Sequence, residues 1–529
     1  MKQYIIKALV ISAMASTMVA CDNFLDKMPD NRTTLDTEQK IKSFLVAAYP
    51  YKDYAWVNEL SSDNSDDVGV VYNYTNRWMD DTFNWRDESE TMTSSLSENW
   101  ESCYEAISVA NEALNAISQL EKTAPSAALA EMRGEALLCR AYSHFVLANL
   151  FCKHWTKNAA SDLGLPYMTQ PETSLRPSYD RGNLADYYEK IEADLLEGLS
   201  LVGDSHYDIP KYHFNQKAAM AFAVRYYLYT ENWDKVIEYA GRVLGAEPKS
   251  MLRDWESWCK LPHYGQPRPN AYISTSNNCN LMLQASYSFR GAVCGRYSQY
   301  SRYSHTYYLA YHEDISVKNV WEGYLRGQLV TTVSDGADKR MVLKSPYAFE
   351  YTDPVAGIGY PHTVIALFTA DEVLLARAEA YTMKRDFKKA AADMQLWVTN
   401  IINTLKSTPK ITVDLIDDFY NEKEYCYDDE KRIASGHKKH LNPSFEIDPE
   451  GSTQENMLQF ILAMRRIETL HDGLRWFDIK RYGIEIPRRV CNAEGEPDYI
   501  TDFLTKDDPR RVYQIPQDVR DAGFMPNPR

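Results

Sequence analysis

The 529-residue chain contains no Cys-x-x-Cys pair, no His-Glu-x-x-His, no Gly-x-Ser-x-Gly elbow and no glycine-rich phosphate loop. These absences remove the common zinc sites, the zinc peptidases, the α/β-hydrolase nucleophile and the P-loop NTPases. Beyond residue 20 no apolar run is long enough to span a bilayer. Positive charge is also short: 58 Lys and Arg stand against 74 Asp and Glu, a formal −16, and loss of Lys2 and Lys7 with a cleaved leader makes it −18. That balance excludes nucleic acid and basic-patch docking to anionic lipid, and leaves neutral or basic partners. Phenylalanine is the minor aromatic, 17 against 38 Tyr and 11 Trp. Pure core building would favour Phe; Tyr and Trp offer a flat apolar face together with a polar edge.

At 44% hydrophobic residues the chain is globular, with one large core or two. Cys139 and Cys152 fall in apolar helical runs and read as buried thiols. The other cysteines after the leader are scattered, and a bridge between Cys279 and Cys294 stays open. Residues 1–20 carry Lys2, Lys7 and an apolar run from Ala8 to Ala20, the pattern of an export signal. It ends Met18-Val19-Ala20-Cys21, which resembles a bacterial lipobox with methionine in the usual leucine position, so Cys21 is the expected lipidation site. Acyl chains there would tether a body held outside the cytoplasm.

The spacing of apolar residues predicts helices over 37–49, 96–120, 127–155, 184–202 and 216–228. Between 59 and 90 the helical period is lost, and the stretch reads as a loop excursion with solvated acids. Asp63, Ser65, Asp67 and Gly69 do not complete an EF-hand, since no Glu follows at the twelfth position. Two stretches repeat one pattern: Tyr227 is followed six residues later by Trp233 and a new helix, and Tyr381 six later by Phe387 and a new helix. Both read as tetratricopeptide-like helix-turn-helix units, which need neighbours to bury their faces. The predicted fold is mainly α: one domain over 21–529, with a helical-pair scaffold over about 37–250 and 365–483, interrupted by an irregular, loop-rich insertion over about 251–364. Residues 410–453 read as an acidic loop with solvent-facing His437 and His440.

The stretch from Gln454 to Gly483 reads as a docking helix. Phe460, Ala463, Ile467, Leu470, Leu474 and Phe477 form its apolar stripe. Its other face pairs Glu468 with Arg465, and Asp478 with Arg475 and Arg481, along the helix. Gly473, unfavourable inside a helix, implies close approach by a neighbour.

No catalytic residues, cofactor or metal site are read from the chain. The positive signal is aromatic: a pyranose stacks its C–H face on Trp or Tyr while its hydroxyls bond to amides and guanidiniums. The irregular regions supply that mixture, and composition points to Tyr72, Tyr74, Asn76, Trp78, Trp85, Trp258, Tyr297 and Tyr300 as ligand contacts. Tyr287, Tyr303, Tyr307, Tyr308 and Tyr311, with Arg290, Arg296 and Arg302, belong to the same tyrosine-rich centre, flanked by Trp255 and Trp321. Two competing readings are a glycan-cleaving surface hydrolase, which needs only two carboxylates brought together by the fold, and a repeat scaffold that binds protein or peptide alone.

Several segments in order resemble the SusD/RagB family of Bacteroidetes outer-membrane nutrient-uptake lipoproteins. They are Cys21 through Asp26, Gly134 through Tyr142, Leu165-Pro166-Tyr167, Arg465 through Glu468, Gly473 through Gly483, Ile515-Pro516-Gln517 and Pro526-Asn527-Pro528. Leu470-His471-Asp472 departs from the family's approach to the glycine, and the common final tyrosine is missing. The resemblance implies a scaffold of four tetratricopeptide-like pairs, no catalysis, a surface-exposed place on the outer membrane, an oligosaccharide or polysaccharide ligand, and a SusC-like TonB-dependent transporter as partner. Ligand contacts of this family lie in variable loops, so no contact residue carries over by motif.

Overall fold

The computed structural model describes residues 34–69, 75–171, 179–295, 301–321, 325–326, 329, 331–333, 339–402, 410–427 and 436–529. Short helices α1 (Glu38–Leu45), α2 (Ala55–Ser61) and α3 (Arg77–Phe83) precede the long ones. Helix starts are written locally. Ser95, Ser126, Asn183, Asn215 and Asn232 each accept a backbone N–H three residues on. They open α4 (Leu96–Leu120), α5 (Ala127–Phe151), α6 (Leu184–Leu201), α7 (Gln216–Tyr229) and α8 (Trp233–Leu244). The helices lie close to their expected bounds because caps and period agree there.

Helix α5 is buried on every side from Gly134 to Phe151. It crosses α6 closely: a Cβ on Gly134 would meet the Val202 nitrogen at 2.6 Å, and one on Gly198 would meet Leu138 Cγ at 2.7 Å. Arg140 of α5 ties this layer together by donating to both carboxylate oxygens of Asp194, each at 2.7 Å, and to Asn111 of α4 at 2.8 Å. After α9 (Tyr307–His312), the scaffold resumes with α10 (Ala370–Met383) and α11 (Phe387–Ile401). The two turns read as equivalent have the same geometry. Asn232 N–H donates to Tyr227 C=O at 2.9 Å, and Asp386 N–H to Tyr381 C=O at 2.8 Å. Glu231 and Arg385 both take a left-handed φ of 61°. Helix α8 packs directly on α10, so units far apart in sequence, with turns at Tyr227–Trp233 and Tyr381–Phe387, are neighbours in space.

Strands fill what the sequence showed only as irregular. β1 (Asp66–Asp67), β3 (Tyr303–Ser304), β8 (Ile486–Cys491) and β9 (Pro497–Leu504) form a sheet in the order β3-β1-β8-β9, with β1 antiparallel to β3 and parallel to β8. β2 (Asn280–Tyr287), β6 (Ala348–Asp353) and β7 (Ile358–Thr369) form a second sheet in the order β2-β7-β6, and β7 runs straight into α10. β4 (Thr331–Val333) pairs with β5 (Lys339–Met341).

Three local expectations are corrected. The 59–90 excursion is not a solvated loop: Asp63, Asp66 and Asp67 are buried, and Arg77–Phe83 is helical. The 410–453 stretch contains α12 (Val413–Asn421), and His437 does not face solvent freely; it stacks on Phe419 with ring centroids 5.5 Å apart, and burial lowers its pKa to about 4. The docking helix is broken into α13 (Thr453–Glu468) and α14 (Leu474–Arg481). At the break Gly473 has φ +72°, and a Cβ there would lie 2.6 Å from Ala55 Cα, so the close approach is real. Cys279 and Cys294 are both free and buried. Among the described residues no helix is long and apolar enough to cross a membrane, and no cluster of His, Cys, Asp or Glu could hold a metal ion.

Candidate functional site

The charged face of α13 and α14 does not point to water. It closes a buried ion network that holds the irregular segments in place. Arg475 donates to both Asp63 oxygens at 2.8 Å, and Lys439 to Asp63 and Glu313 at 2.7 Å each. Arg466 donates to Glu313 at 2.7 Å and to Asn64 at 2.8 Å, and Arg489 of β8 bridges Glu313 and Asp66 at 3.0 Å each. Burial alone would push the Asp63 and Glu313 carboxyls up; the surrounding Arg and Lys outweigh it and hold both well below the usual carboxylate range. Of the pairs expected along the helix, Asp478 with Arg481 forms at 3.1 Å, whereas Arg475 turns to Asp63 and Glu468 accepts from Trp397 at 2.8 Å.

This network sits directly under α9. Glu313 and Asp314 follow its last turn, and Thr306 caps its first, accepting from Leu309 N–H at 3.2 Å and donating to Asp66 at 3.1 Å. Clamped at both ends, the helix presents two ring stacks at i, i+4 spacing. Tyr307 and Tyr311 lie 4.1 Å apart between centroids at 24°, and Tyr308 and His312 lie 4.3 Å apart at 27°. Tyr307 is 37% and Tyr311 44% exposed. The Arg340 guanidinium of β5 lies 4.9 Å from the Tyr307 centroid and 5.8 Å from that of Tyr311. Rings of this kind in water, edged by a guanidinium, have the donors and the flat faces that a sugar engages.

Polar groups continue from β3. Arg302 forms a bidentate pair with Asp67 at 2.9 and 2.7 Å. Tyr303 donates to Asp80 at 2.5 Å, and Thr75 donates to the same oxygen at 2.8 Å. Asn76, half-buried beside Thr75, occupies the N-cap of α3 but makes no side-chain cap bond there.

Several residues expected to stand in water are core residues instead. Trp78 is fully buried inside α3. Trp85 is 5% exposed: its indole N–H donates to Ser61 C=O at 2.9 Å, and the Arg488 guanidinium covers its ring at 3.9 Å. Trp258 is 4% exposed; it donates to Arg268 C=O at 3.0 Å, with the Arg268 guanidinium 4.9 Å from its ring. A local stretch without period can still be pinned from far away in sequence, as Arg488 does to Trp85, or by a near neighbour, as Arg268 does to Trp258. Trp255 and Trp321 are buried too. Tyr72, Tyr74, Tyr297, Tyr300 and Cys21 lie outside the described residues. Asn76 keeps an available amide. Tyr307, Tyr311 and Arg340 were not singled out as contacts; the signal for the tyrosines was their four-residue spacing after a Thr cap, while Arg340 arrives from another strand.

A family model described as SusD-like, starch-binding and associating with the outer membrane, matches residues 23–228. No curated protein matches the chain. Among solved structures, a SusD superfamily protein from Bacteroides thetaiotaomicron shares the fold with a TM-score of 0.65 at 17% identity, covering 94% of this chain and 100% of the other. A SusD-like protein from Bacteroides fragilis gives 0.59 at 16% identity, with 95% and 99% covered. A SusD-like carbohydrate binding protein from Bacteroides vulgatus gives 0.57 at 15% identity, with 92% and 96% covered. The family model thus covers the N-terminal portion of the chain, and the fold of these SusD-like structures is shared along nearly its whole length.

Proposed function

We propose that this protein is a cell-surface glycan-binding lipoprotein that captures oligosaccharide and passes it to a SusC-like TonB-dependent transporter of the outer membrane. The observation that carries the reading is the exposed Tyr307–Tyr311 stack with Arg340 at its edge, held rigid from below by the Asp63–Glu313 network. A sugar ring would lie on the exposed phenol faces of Tyr307 and Tyr311. Because α9 is capped and clamped before ligand arrives, little ordering cost opposes binding. Acylation at Cys21 would keep the site at the membrane surface. No catalytic step is assigned; Asp67 and Asp80, beside β3, are engaged by Arg302, Tyr303 and Thr75.

Support comes from the starch-binding description of the matched family and from the carbohydrate-binding relative of like fold. Affinity electrophoresis of the purified chain through gels holding starch and other plant and host glycans tests the reading. Retardation by at least one glycan, abolished in a Tyr307→Ala/Tyr311→Ala variant that keeps its melting temperature, is the expected result. Equal retardation of the variant would overturn the site, and release of shortened product would favour the hydrolase. Co-purification with a barrel transporter from the native membrane tests the handover.

A further inference from the structure

Helix α9 is only six residues long, and its two flanks meet through one imidazole. His305 precedes the Thr306 cap, Asp314 follows the last turn, and His305 Nε2 lies 3.1 Å from an Asp314 oxygen. The other ring nitrogen, Nδ1, lies 3.0 Å from Asn64 C=O. A carbonyl oxygen and an ionised carboxylate only accept, so filling both positions takes a hydrogen on each nitrogen, which is the imidazolium. Asp314 is ionised: burial raises its pKa, but His305, Arg466 and the Ile315 N–H outweigh that and hold it low. The His305 ring is 2% exposed, so a bond lost there is not made good by bulk water.

The same residue fixes what stands beside the exposed tyrosines. Its C=O accepts from Arg340 N–H at 3.0 Å, which sets β5 against the start of α9. Charged and titratable groups face the ring from the elements packed on it. Arg466 of α13 lies 3.4 Å from the second Asp314 oxygen. His471, in the α13–α14 break, packs edge-on with centroids 6.2 Å apart, and burial and the charges of His305, Lys344 and Arg290 push its pKa far down, so it is neutral. Glu59 of α2 lies 3.8 Å from His471. Burial and Arg466 lower the His305 pKa, whereas Asp314 and the Asn64 carbonyl raise it and prevail.

We propose that His305, while it carries both ring protons, is a positioning residue of the α9 surface, tying the two ends of the helix together and releasing one contact when a proton is lost. The proposal rests on the reading of Tyr307 and Tyr311 as glycan contacts and adds a proton-dependent hold on the helix that carries them. A neutral imidazole has one N–H, so its loss of a proton leaves either Asn64 or Asp314 without a donor. The hold is complete below the ordinary histidine range and is lost as pH rises through the raised His305 pKa. Thr306 on Asp66 and the Glu313 network remain, so the helix loosens without unfolding.

Amide exchange across residues 307–313, corrected for the intrinsic rate at each pH, tests the hold without ligand. In the parent chain protection should fall about threefold or more between pH 6 and pH 8.5. His305→Gln, and Asp314→Asn, which removes the charge that retains the proton, should show the same low protection at both pH values. Glu59→Gln removes the other buried group that titrates in this range and should keep the parent's drop. Affinity for soluble starch, measured by calorimetry, should weaken about threefold over the same pH interval in the parent and stay level in His305→Gln. In NMR of histidine Cε1-labelled chain, the signal missing from His305→Gln should report an imidazolium at pH 6.5. A neutral ring at that pH, parent protection or starch affinity equal at the two pH values, or an equal drop in His305→Gln overturns the proposal. No starch binding at either pH counts against the glycan reading alone, and the exchange and the ring signal still decide the role of His305. Should His305→Gln fail to fold, Asp314→Asn takes its place in both measurements.

Discussion

Helices α9 and α14 both set large aromatics among arginines, and they do opposite things with them. On α14, Trp476 is fully buried, stacked on Tyr513 at 5.8 Å, while the flanking Arg475 and Arg481 spend their donors on Asp63, Asp478 and Glu379. On α9, Tyr307 and Tyr311 stand a third or more exposed, with Arg340 alongside rather than above them in a closed core. Composition does not separate the two. What separates them is burial: Trp476 is closed off inside the fold, while Tyr307 and Tyr311 keep part of their ring surface in water. The two are also linked, because the network that consumes the α13–α14 charges is the one that clamps α9.

The largest effect should come from breaking the buried side of this comparison. Glu313→Gln leaves Lys439, Arg466 and Arg489 facing a neutral group and should cost about 3–5 kcal/mol, read by chemical denaturation. Glycan binding should fall only as the folded fraction falls. Trp78→Ala should cost a similar ~3–5 kcal/mol through the cavity it leaves. Unaltered stability with lost glycan binding in that variant would return Trp78 to the ligand surface. Gly473→Ala forces a Cβ against Ala55 at a left-handed position and should cost about 2 kcal/mol or more, seen as a lowered Tm; an unchanged Tm would mean that the α13–α14 break can relax.

On the exposed side, Tyr307→Ala/Tyr311→Ala should move stability by no more than about 0.5 kcal/mol while weakening glycan binding at least tenfold, about 1.4 kcal/mol. The smallest effect is a pH slope. Burial, against hydrogen bonds from Gly473 N–H and Asn64, raises the Glu59 pKa to about 7. The folded chain therefore holds this proton where the unfolded chain has lost it. The contribution is fully present below the ordinary glutamate range and is lost as pH rises through about 7. Denaturation midpoints should fall from pH 5 to pH 8, and Glu59→Gln should flatten part of that slope. No change in slope in the variant would assign the effect to other groups.

Much of the helical frame was legible because its signals are local. Ser95, Ser126 and Asn183 mark helix starts that the structure places within a residue of the apolar period, and the six-residue Tyr227–Trp233 and Tyr381–Phe387 spacings mark turns with matching left-handed residues. The strands were not legible: β1 is two residues long and exists only because residues 303–304 and 486–491 arrive beside it. Tyrosine enrichment around 287–311 marks the stretch that carries the exposed Tyr307 and Tyr311, while Trp78, Trp85 and Trp258 are buried, which local sequence does not reveal because burial depends on neighbours such as Arg488, about 400 residues away in sequence from Trp85.

By itself, the amino-acid order determined the caps, the helical pairs and the aromatic bias, since each rests on residues within a few turns of one another. Only the tertiary structure decided which rings meet water. Exposure is a property of what packs on top, and for Trp85 the covering group, Arg488, comes from chain far away in sequence.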